Sequence, residues 1–254
     1  MSINQQILRE SQLIMLEMLI EFDAICEKYH LIYWLDSGTT LGVVRHQGFI
    51  PWDDDIDISM PQEDYKKFAQ IAKNELSKNI FFQNTQTDKN FPFDYMKLRS
   101  TKATIIEFHE VNKKIKYHQG LFIDIFPMLT VKNSIFYLWY YKNIFKLIRM
   151  LSAKKLNFIL LRSFFIWTLD KMHQGWERED LKVIYSAKMP DIAASFEIKK
   201  IFPLKKMLFE GIHFYMPNSP QHYLENIYSF NYMELPSPEK RMTHAEEIKI
   251  MKDS

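Results

Sequence analysis

The chain has 254 residues, a formal net charge of +2, 47% apolar residues and 25% charged residues. That balance excludes wholesale disorder, supplies enough apolar side chain for a sizeable core and argues against a nucleic-acid partner. A single cysteine, Cys26, excludes an internal disulfide or a cysteine-rich zinc site and fits a reducing compartment. Residues 1–30 set Arg9, Glu10, Glu17, Glu21 and Asp23 among the apolar positions, unlike a signal peptide, so the expectation is a cytoplasmic protein.

Residues 3–29 contain neither Gly nor Pro and read as a helix. Leu13, Leu16, Ile20 and Ala24 form one stripe at helical spacing, and Met15, Leu19, Phe22 and Cys26 form another. Two stripes predict a helix covered on more than one side. Leu31–Leu35 (LIYWL) reads as a strand, broken by Ser37-Gly38-Thr39-Thr40. Leu41–Val44 starts a short helix that ends near Gly48. Ile56–Met60 alternates and reads as a second strand. Pro61 suits the first turn of a helix, with Glu63 and Asp64 at its positive end, running to about Leu76. Residues 80–84 and 93–99 read as strands, the second placing Lys97 and Arg99 on one face. Gly120–Phe126 is a further strand, stopped by Pro127. Strands interleaved with helices predict an α/β (α+β) fold, a mixed sheet flanked by helices.

Residues 131–171 hold eight Lys/Arg against one acid, Asp170, and ten aromatics. The longest nearly charge-free run, Leu156–Leu169, is interrupted by Arg162 and falls short of the ~20 residues that cross a bilayer. The segment reads as a basic, aromatic helical pair, either a cap with solvated charges or a surface that lies on a membrane. Beyond it, Glu210–Tyr215 reads as a strand-turn region. A helix starts at Pro220 or Gln221, and Tyr232–Pro238 forms a proline-stiffened loop.

Glycine is scarce, six residues in all, yet Gly38, Gly42 and Gly48 lie within eleven positions. A chain so sparing with glycine places it where the backbone needs it. Four of fourteen aspartates, Asp53, Asp54, Asp55 and Asp57, lie within five positions. On an extended segment Asp53, Asp55 and Asp57 share a face, with neighbours about 6.6–6.8 Å apart. Their mutual repulsion calls for compensation, and oxygen-only ligands favour Mg²⁺, Mn²⁺ or Ca²⁺ over zinc. Ile56 between Asp55 and Asp57 would point into the core. Asp124 is polar at the centre of an apolar strand and needs a hydrogen bond, an ion pair or a metal. A neighbouring strand would set it beside Asp55 and Asp57. The plainer reading, that aspartates cap the helix from Pro61 and decorate a loop, suffices for Asp53 and Asp54. Upstream, Ser37-Gly38-Thr39 lets backbone N–H groups approach a phosphate. Together with the carboxylate pair it makes the pattern of a nucleotidyltransferase-like fold.

The stretch Trp34–Asp57 (WLDSGTTLGVVRHQGFIPWDDDID) closely resembles the signature of the LicD family, phosphocholine-transferase-type enzymes related to fukutin and fukutin-related protein. Gly120–Pro127 (GLFIDIFP) and Tyr232–His244 (YMELPSPEKRMTH) match in order. The resemblance covers roughly 30–130 and 210–244. It implies a nucleotidyltransferase-like catalytic core over 1–130 and a C-terminal segment, 201–254, that completes core and site; 131–200, outside the resemblance, is expected from its composition as a basic, aromatic helical insertion or cap.

The implied reaction is metal-dependent transfer of phosphocholine, or a related substituted phosphate, from a CDP-activated donor such as CDP-choline to a hydroxyl of a cell-envelope glycan such as lipopolysaccharide, releasing CMP. By position, Asp55 and Asp57 are the metal pair and Asp124 the third carboxylate, either ligand or proton acceptor. Gly38 and Thr39 sit at the phosphate turn, which Asp36 orients. Arg45, Lys97 and Arg99 are candidate phosphate contacts, with solvated surface charges as the plainer reading. Trp52 packs under the aspartates or stacks on cytosine or choline. Arg241 and His244 close the site or anchor the tail. Expected partners are the CDP-linked donor and a glycan or lipid-linked glycan acceptor, with no nucleic acid. A peripheral contact through 131–171 with the inner face of the cytoplasmic membrane is the alternative to a purely cytoplasmic enzyme. Two other functions stay open: a different nucleotidyltransferase acting on a small molecule, and a non-catalytic relative that binds nucleotide or glycan.

Overall fold

Helix α1 (Gln5–Tyr29) begins at Asn4, whose side chain accepts from Gln6 N at 2.8 Å, and ends at His30 in the left-handed region at φ 53°. It opens a computed structural model that describes residues 3–153, 164, 167, 168, 171, 181–185 and 194–251. Met15, Met18, Leu19, Phe22, Ile25 and Cys26 are buried in the core, whereas Leu13, Ile20 and Ala24 of the other expected stripe are exposed. One face of α1 lies on the sheet and the opposite one meets solvent, which corrects the expectation of a helix covered on more than one side.

Strand β1 (Trp34–Leu35) is shorter than the LIYWL run because only these two residues find ladder partners, Ser59 and Ile58. Helix α2 (Ser37–His46) absorbs the stretch expected as a turn. Strand β2 (Ile56–Pro61) runs into α3 (Gln62–Glu75), with Glu63 and Asp64 in its first turn as the sequence predicts. Tyr65, Phe68 and Ala72 recur at helical spacing and are buried; burying Phe68 alone contributes about 1.5–3 kcal/mol.

Strand β3 (Ile80–Gln83) pairs with β4 (Met96–Glu107), which continues well past the expected end at Arg99. Strand β5 (Gly120–Lys132) does not stop at Pro127. On one edge β4 leaves β5 at the Met96–Ile125 pair, and β6 (Leu181–Tyr185) takes over at Met128–Tyr185. The proline falls where the ladder changes partner, a position that tolerates a missing donor. Every residue of β5 except Lys132 is buried, as a central strand requires.

The stretch 131–200, expected as a helical insertion, contributes the end of β5, then α4 (Ile135–Ala153), β6 and β7 (Ser195–Glu197). Most of the Leu156–Leu169 run lies outside the described residues. Next come α5 (Ile198–Ile201), a hairpin of β8 (Lys205–Phe209) and β9 (Ile212–Met216), and α6 (Pro220–Tyr228). The chain returns as β10 (Ala245–Ile250) on an edge of the sheet. A register shift between Ala245 and Glu247 turns Ala245 and Ile248 inward, three apart, which hides the period-two signal of β10 from the sequence.

Eight described strands form one mixed sheet with the path β1-β2-β5-β4-β10; β3 also pairs with β4, and β6 with β5 and β7. Only β2 and β5 run parallel. The larger core holds the inner faces of α1 and α3 against the sheet. A second core gathers Trp34, Phe126, Met128, Tyr185, Phe196 and Tyr223.

Candidate active site

The parallel register of β2 and β5 sets Asp57 opposite Asp124, and the antiparallel register of β4 sets Lys97 opposite Asp124 from the other side. One row across three strands therefore reads Asp57, Asp124, Lys97. Lys97 Nζ lies 2.9 Å from Asp124 Oδ1 and 3.2 Å from Oδ2, and 3.3 Å from the centroid of the Phe122 ring. The polar residue in the apolar strand is thus ion-paired, one of the forms in which a buried carboxylate is tolerable. Ile56 is buried in the core as alternation requires, leaving Asp57 on the opposite face.

The first turn of α2 is stapled to β2. Asp36 N donates to the Asp57 carbonyl at 2.9 Å, and Asp57 N donates to Thr39 Oγ1 at 2.8 Å. The fully buried Asp36 carboxylate accepts from Ser37 N at 2.6 Å, Ser59 Oγ at 2.5 Å and Tyr185 OH at 2.7 Å, and also from Tyr223 OH. This network orients the turn and holds Ser37 in the left-handed region at φ 41°, a conformation costing of order 1–3 kcal/mol. A Cβ on Gly38 would stand 3.1 Å from Asp53 Oδ2, so the glycine seats the helix start against the aspartates.

Asp53, Asp54, Asp55 and His244 bring potential ligand atoms within 4.8 Å of one another. Asp54 is fully buried and accepts from His244 N at 3.0 Å and Ala245 N at 2.6 Å, with His244 Nδ1 at 3.1 Å. Rather than decorating a loop, it latches the start of β10. His244 Nδ1 also stands 3.6 Å from Asp55 Oδ2. The hydrogen bond to Asp54, aided by the Asp55 charge and opposed by burial, pushes the His244 imidazole up to about 9, so it is cationic at neutral pH. Burial and the Asp54 charge push Asp53 up to about 6. Burial first, then Asp53, drives Asp55 well above the usual carboxylate range, against the pull of His244. Burial, then Asp55 and Asp124, does the same to Asp57. Burial raises Asp124 as well, and Lys97 opposes it.

The carboxylates outnumber the cations in contact with them, Lys97 and His244. Among the described residues, no N–H or hydroxyl donates to the Asp57 carboxylate. An oxygen-rich, over-negative cluster of this kind fits a divalent cation. A second group, Glu107, His109 and Glu110, also meets within 4.8 Å. The Glu110 oxygens are already taken by Tyr117, Gln119 and Glu107 N.

The remaining expected residues fall in two places. Arg45 Nη1 donates to the carbonyls of Tyr232 at 3.1 Å and Glu234 at 3.4 Å, and Arg241 Nε to that of Pro236 at 2.9 Å. Both guanidinium groups pack on Trp52, 5.8 and 5.0 Å from the ring. These contacts anchor the tail beside the Trp52–Asp55 loop. Trp52, His46 and Arg241, with Phe108, Leu235 and Met242, line a cavity of about 840 Å³. Arg99 is buried within the sheet and donates to Gln83 Oε1 and the Gly120 carbonyl, both at 2.8 Å, so these bonds are made to protein acceptors. Tyr185, Tyr223 and the Lys97–Asp124 pairing escape sequence reasoning, because each contact depends on which strands become neighbours.

The family described as LicD/FKTN/FKRP, nucleotidyltransferase domain, matches residues 30–154, the part of the chain that carries β1 to β5 and the aspartates of the cluster. The lipopolysaccharide cholinephosphotransferase LicD of Haemophilus influenzae is 30% identical over 209 residues, 81% of this chain and 72% of that protein. The uncharacterized protein RP689 of Rickettsia prowazekii is 33% identical over 100 residues, 39% of this chain and 35% of that one. Ribitol 5-phosphate transferase FKRP of Homo sapiens is 28% identical over 71 residues, 28% of this chain and 14% of that one. The chain belongs to the LicD family.

Proposed function

We propose that the protein is a metal-dependent transferase that moves phosphocholine, or a related substituted phosphate, from a CDP-activated donor such as CDP-choline to a hydroxyl of a cell-envelope or lipid-linked glycan, releasing CMP. The observation that carries this reading is the placing of Asp57 beside Asp124 on parallel strands, with the Asp55 charge close enough to raise the Asp57 carboxyl. The likeness to the cholinephosphotransferase supports phosphocholine as the group moved, and the likeness to a ribitol 5-phosphate transferase supports the wider class. The buried free thiol of Cys26 is in keeping with a cytoplasmic location.

Asp55, Asp57 and Asp124 would hold Mg²⁺ or Mn²⁺, which supplies charge neutralisation at the diphosphate and at the leaving CMP. Gly38 and Thr39 begin α2, whose N-terminal N–H groups favour a phosphate. Lys97 pairs with Asp124 and opposes the upward push of burial on its carboxyl. Arg45 and Arg241 hold Trp52 at the rim, where cytosine or choline can stack. Arg99 acts on substrate only indirectly, by fixing the strand that carries Lys97. The acceptor oxygen forms a bond to phosphorus as the bond to the CMP oxygen breaks, and the hydroxyl proton leaves to the carboxylate cluster or water.

The test is CMP release from CDP-choline, CDP-ribitol and CDP-glycerol with a lipopolysaccharide acceptor, in Mg²⁺ and in chelator. Metal- and acceptor-dependent release from one donor supports the proposal and names the head group. Acceptor-independent turnover of a nucleotide would favour another nucleotidyltransferase. Donor binding without turnover for any acceptor would favour a non-catalytic relative.

A further inference from the structure

We infer that α4, together with Phe164, Trp167 and Lys171, forms a surface that docks the protein on an anionic lipid bilayer. The observation is an inverted helix face. Phe136, Trp139, Asn143, Lys146 and Met150 recur at helical spacing and are all exposed, while Ile144 points inward and is buried. Ile135 is 90% exposed, Phe136 65% and Trp139 60%. A helix that simply caps a soluble core turns its polar side chains outward.

A second stretch, described at Phe164, Trp167, Thr168 and Lys171, extends the same surface. Tyr140 OH donates to Thr168 Oγ1 at 3.0 Å, fastening that stretch to α4. Trp167 beside it is 54% exposed, with the Lys171 ammonium 5.8 Å from its ring. Lys132, at the entry to α4, lies 6.0 Å from the Tyr137 ring. Tryptophan and lysine together on an outward face match the boundary between headgroups and acyl chains, where an indole keeps its polar edge wet and a lysine stem reaches back to the phosphates.

Charge selects the occupant. Residues 131–171 sum to +7, and the rest of the chain to −5, since the whole is +2. A second copy of the chain docked face to face would set Lys132, Lys146 and Lys171 against their own copies, whereas an anionic bilayer supplies the opposite sign over a wide area. Among the described residues no helix is long and apolar enough to cross a membrane, so the surface lies on the bilayer and does not span it. The inference stands apart from the transferase reading, because none of these residues belongs to the carboxylate cluster.

The full chain is floated with vesicles of phosphatidylcholine alone and of phosphatidylcholine with phosphatidylglycerol, at low and high salt. The expected result is flotation with the anionic vesicles only, falling about tenfold as salt screens the attraction. The double variant Trp139→Ser, Trp167→Ser should lower flotation by about tenfold with an unchanged melting temperature, since apolar burial contributes part of the binding. A single Lys146→Glu change is a milder second probe that should weaken binding to anionic vesicles. No flotation at low salt would overturn the inference. So would equal flotation of wild type and double variant, or a concentration-dependent dimer that the double variant abolishes while vesicles bind nothing.

Discussion

Asp57 and Lys97 stand two strands apart in one row, and their removal has opposite consequences. Asp57 accepts no hydrogen bond from the described residues and is crowded by Asp55 and Asp124. Replacing it with Asn relieves repulsion while removing a ligand oxygen. CMP release by Asp57→Asn should fall at least about 100-fold, while its melting temperature in chelator holds or rises. A melting temperature several degrees lower would assign Asp57 a structural role instead. Lys97→Met leaves Asp124 buried beside Asp57 without its counter-charge. Breaking a buried pair from one side costs about 3–5 kcal/mol, so its denaturation midpoint should drop sharply. Adding Asp124→Asn to Lys97→Met should recover most of that loss, whereas additive losses would show that the pair is not coupled.

At the scale of elements, the carboxyl-terminal edge strand depends on one buried side chain. Asp54 accepts from two consecutive backbone N–H groups at the start of β10. Asp54→Ala leaves both donors without that acceptor, at about 1–3 kcal/mol each. Native-state hydrogen exchange should then show β10 amides losing protection well before those of β5. Uniform loss across both strands would mean that β10 is held by its ladder alone. The glycines of this region act through closeness, since among the described glycines only Gly211 has a positive φ. A Cβ on Gly42 would sit 2.5 Å from the Gly48 carbonyl oxygen, and one on Gly48 would collide with the Glu210 carboxylate. Gly42→Ala should therefore destabilise the protein although alanine is the better helix former, a sign that thermal unfolding reads directly.

Across the whole molecule, Glu210 at the β8–β9 turn joins three parts of the chain. It accepts from Arg9 of α1 at 2.6 Å and from Phe49 N of the loop after α2 at 3.0 Å. Burial would raise its carboxyl, but Arg9 and the Phe49 N–H outweigh burial and hold it below its ordinary 4.5. A depressed carboxyl contributes stability above that ordinary value and loses the contribution as pH falls through its folded-state value. Melting temperature against pH should therefore fall less steeply on the acid side for Glu210→Gln than for wild type, with the variant less stable at neutral pH. Parallel acid limbs would show that this tie does not govern acid stability.

The sequence by itself singled out carboxylates that the structure sets close together. Alternation in Ile56–Met60 put Asp55 and Asp57 on one face of a strand, and the apolar run around Asp124 marked it as a buried carboxylate in need of a partner. The motifs Trp34–Asp57 and Gly120–Pro127 also resembled the family to which the chain belongs. Such patterns are legible because strand and helix periods are local. The tertiary structure decided what each carboxylate faces. Lys97 became the partner of Asp124 only through the register of β4 on β5. Asp36 drew Tyr185 and Tyr223 from far along the chain, and Asp54 became a latch only once β10 had closed the edge. Pro127 was accommodated because two different strands meet there. Register and long-range hydrogen bonds are set by which strands pack side by side, and no local period records that choice.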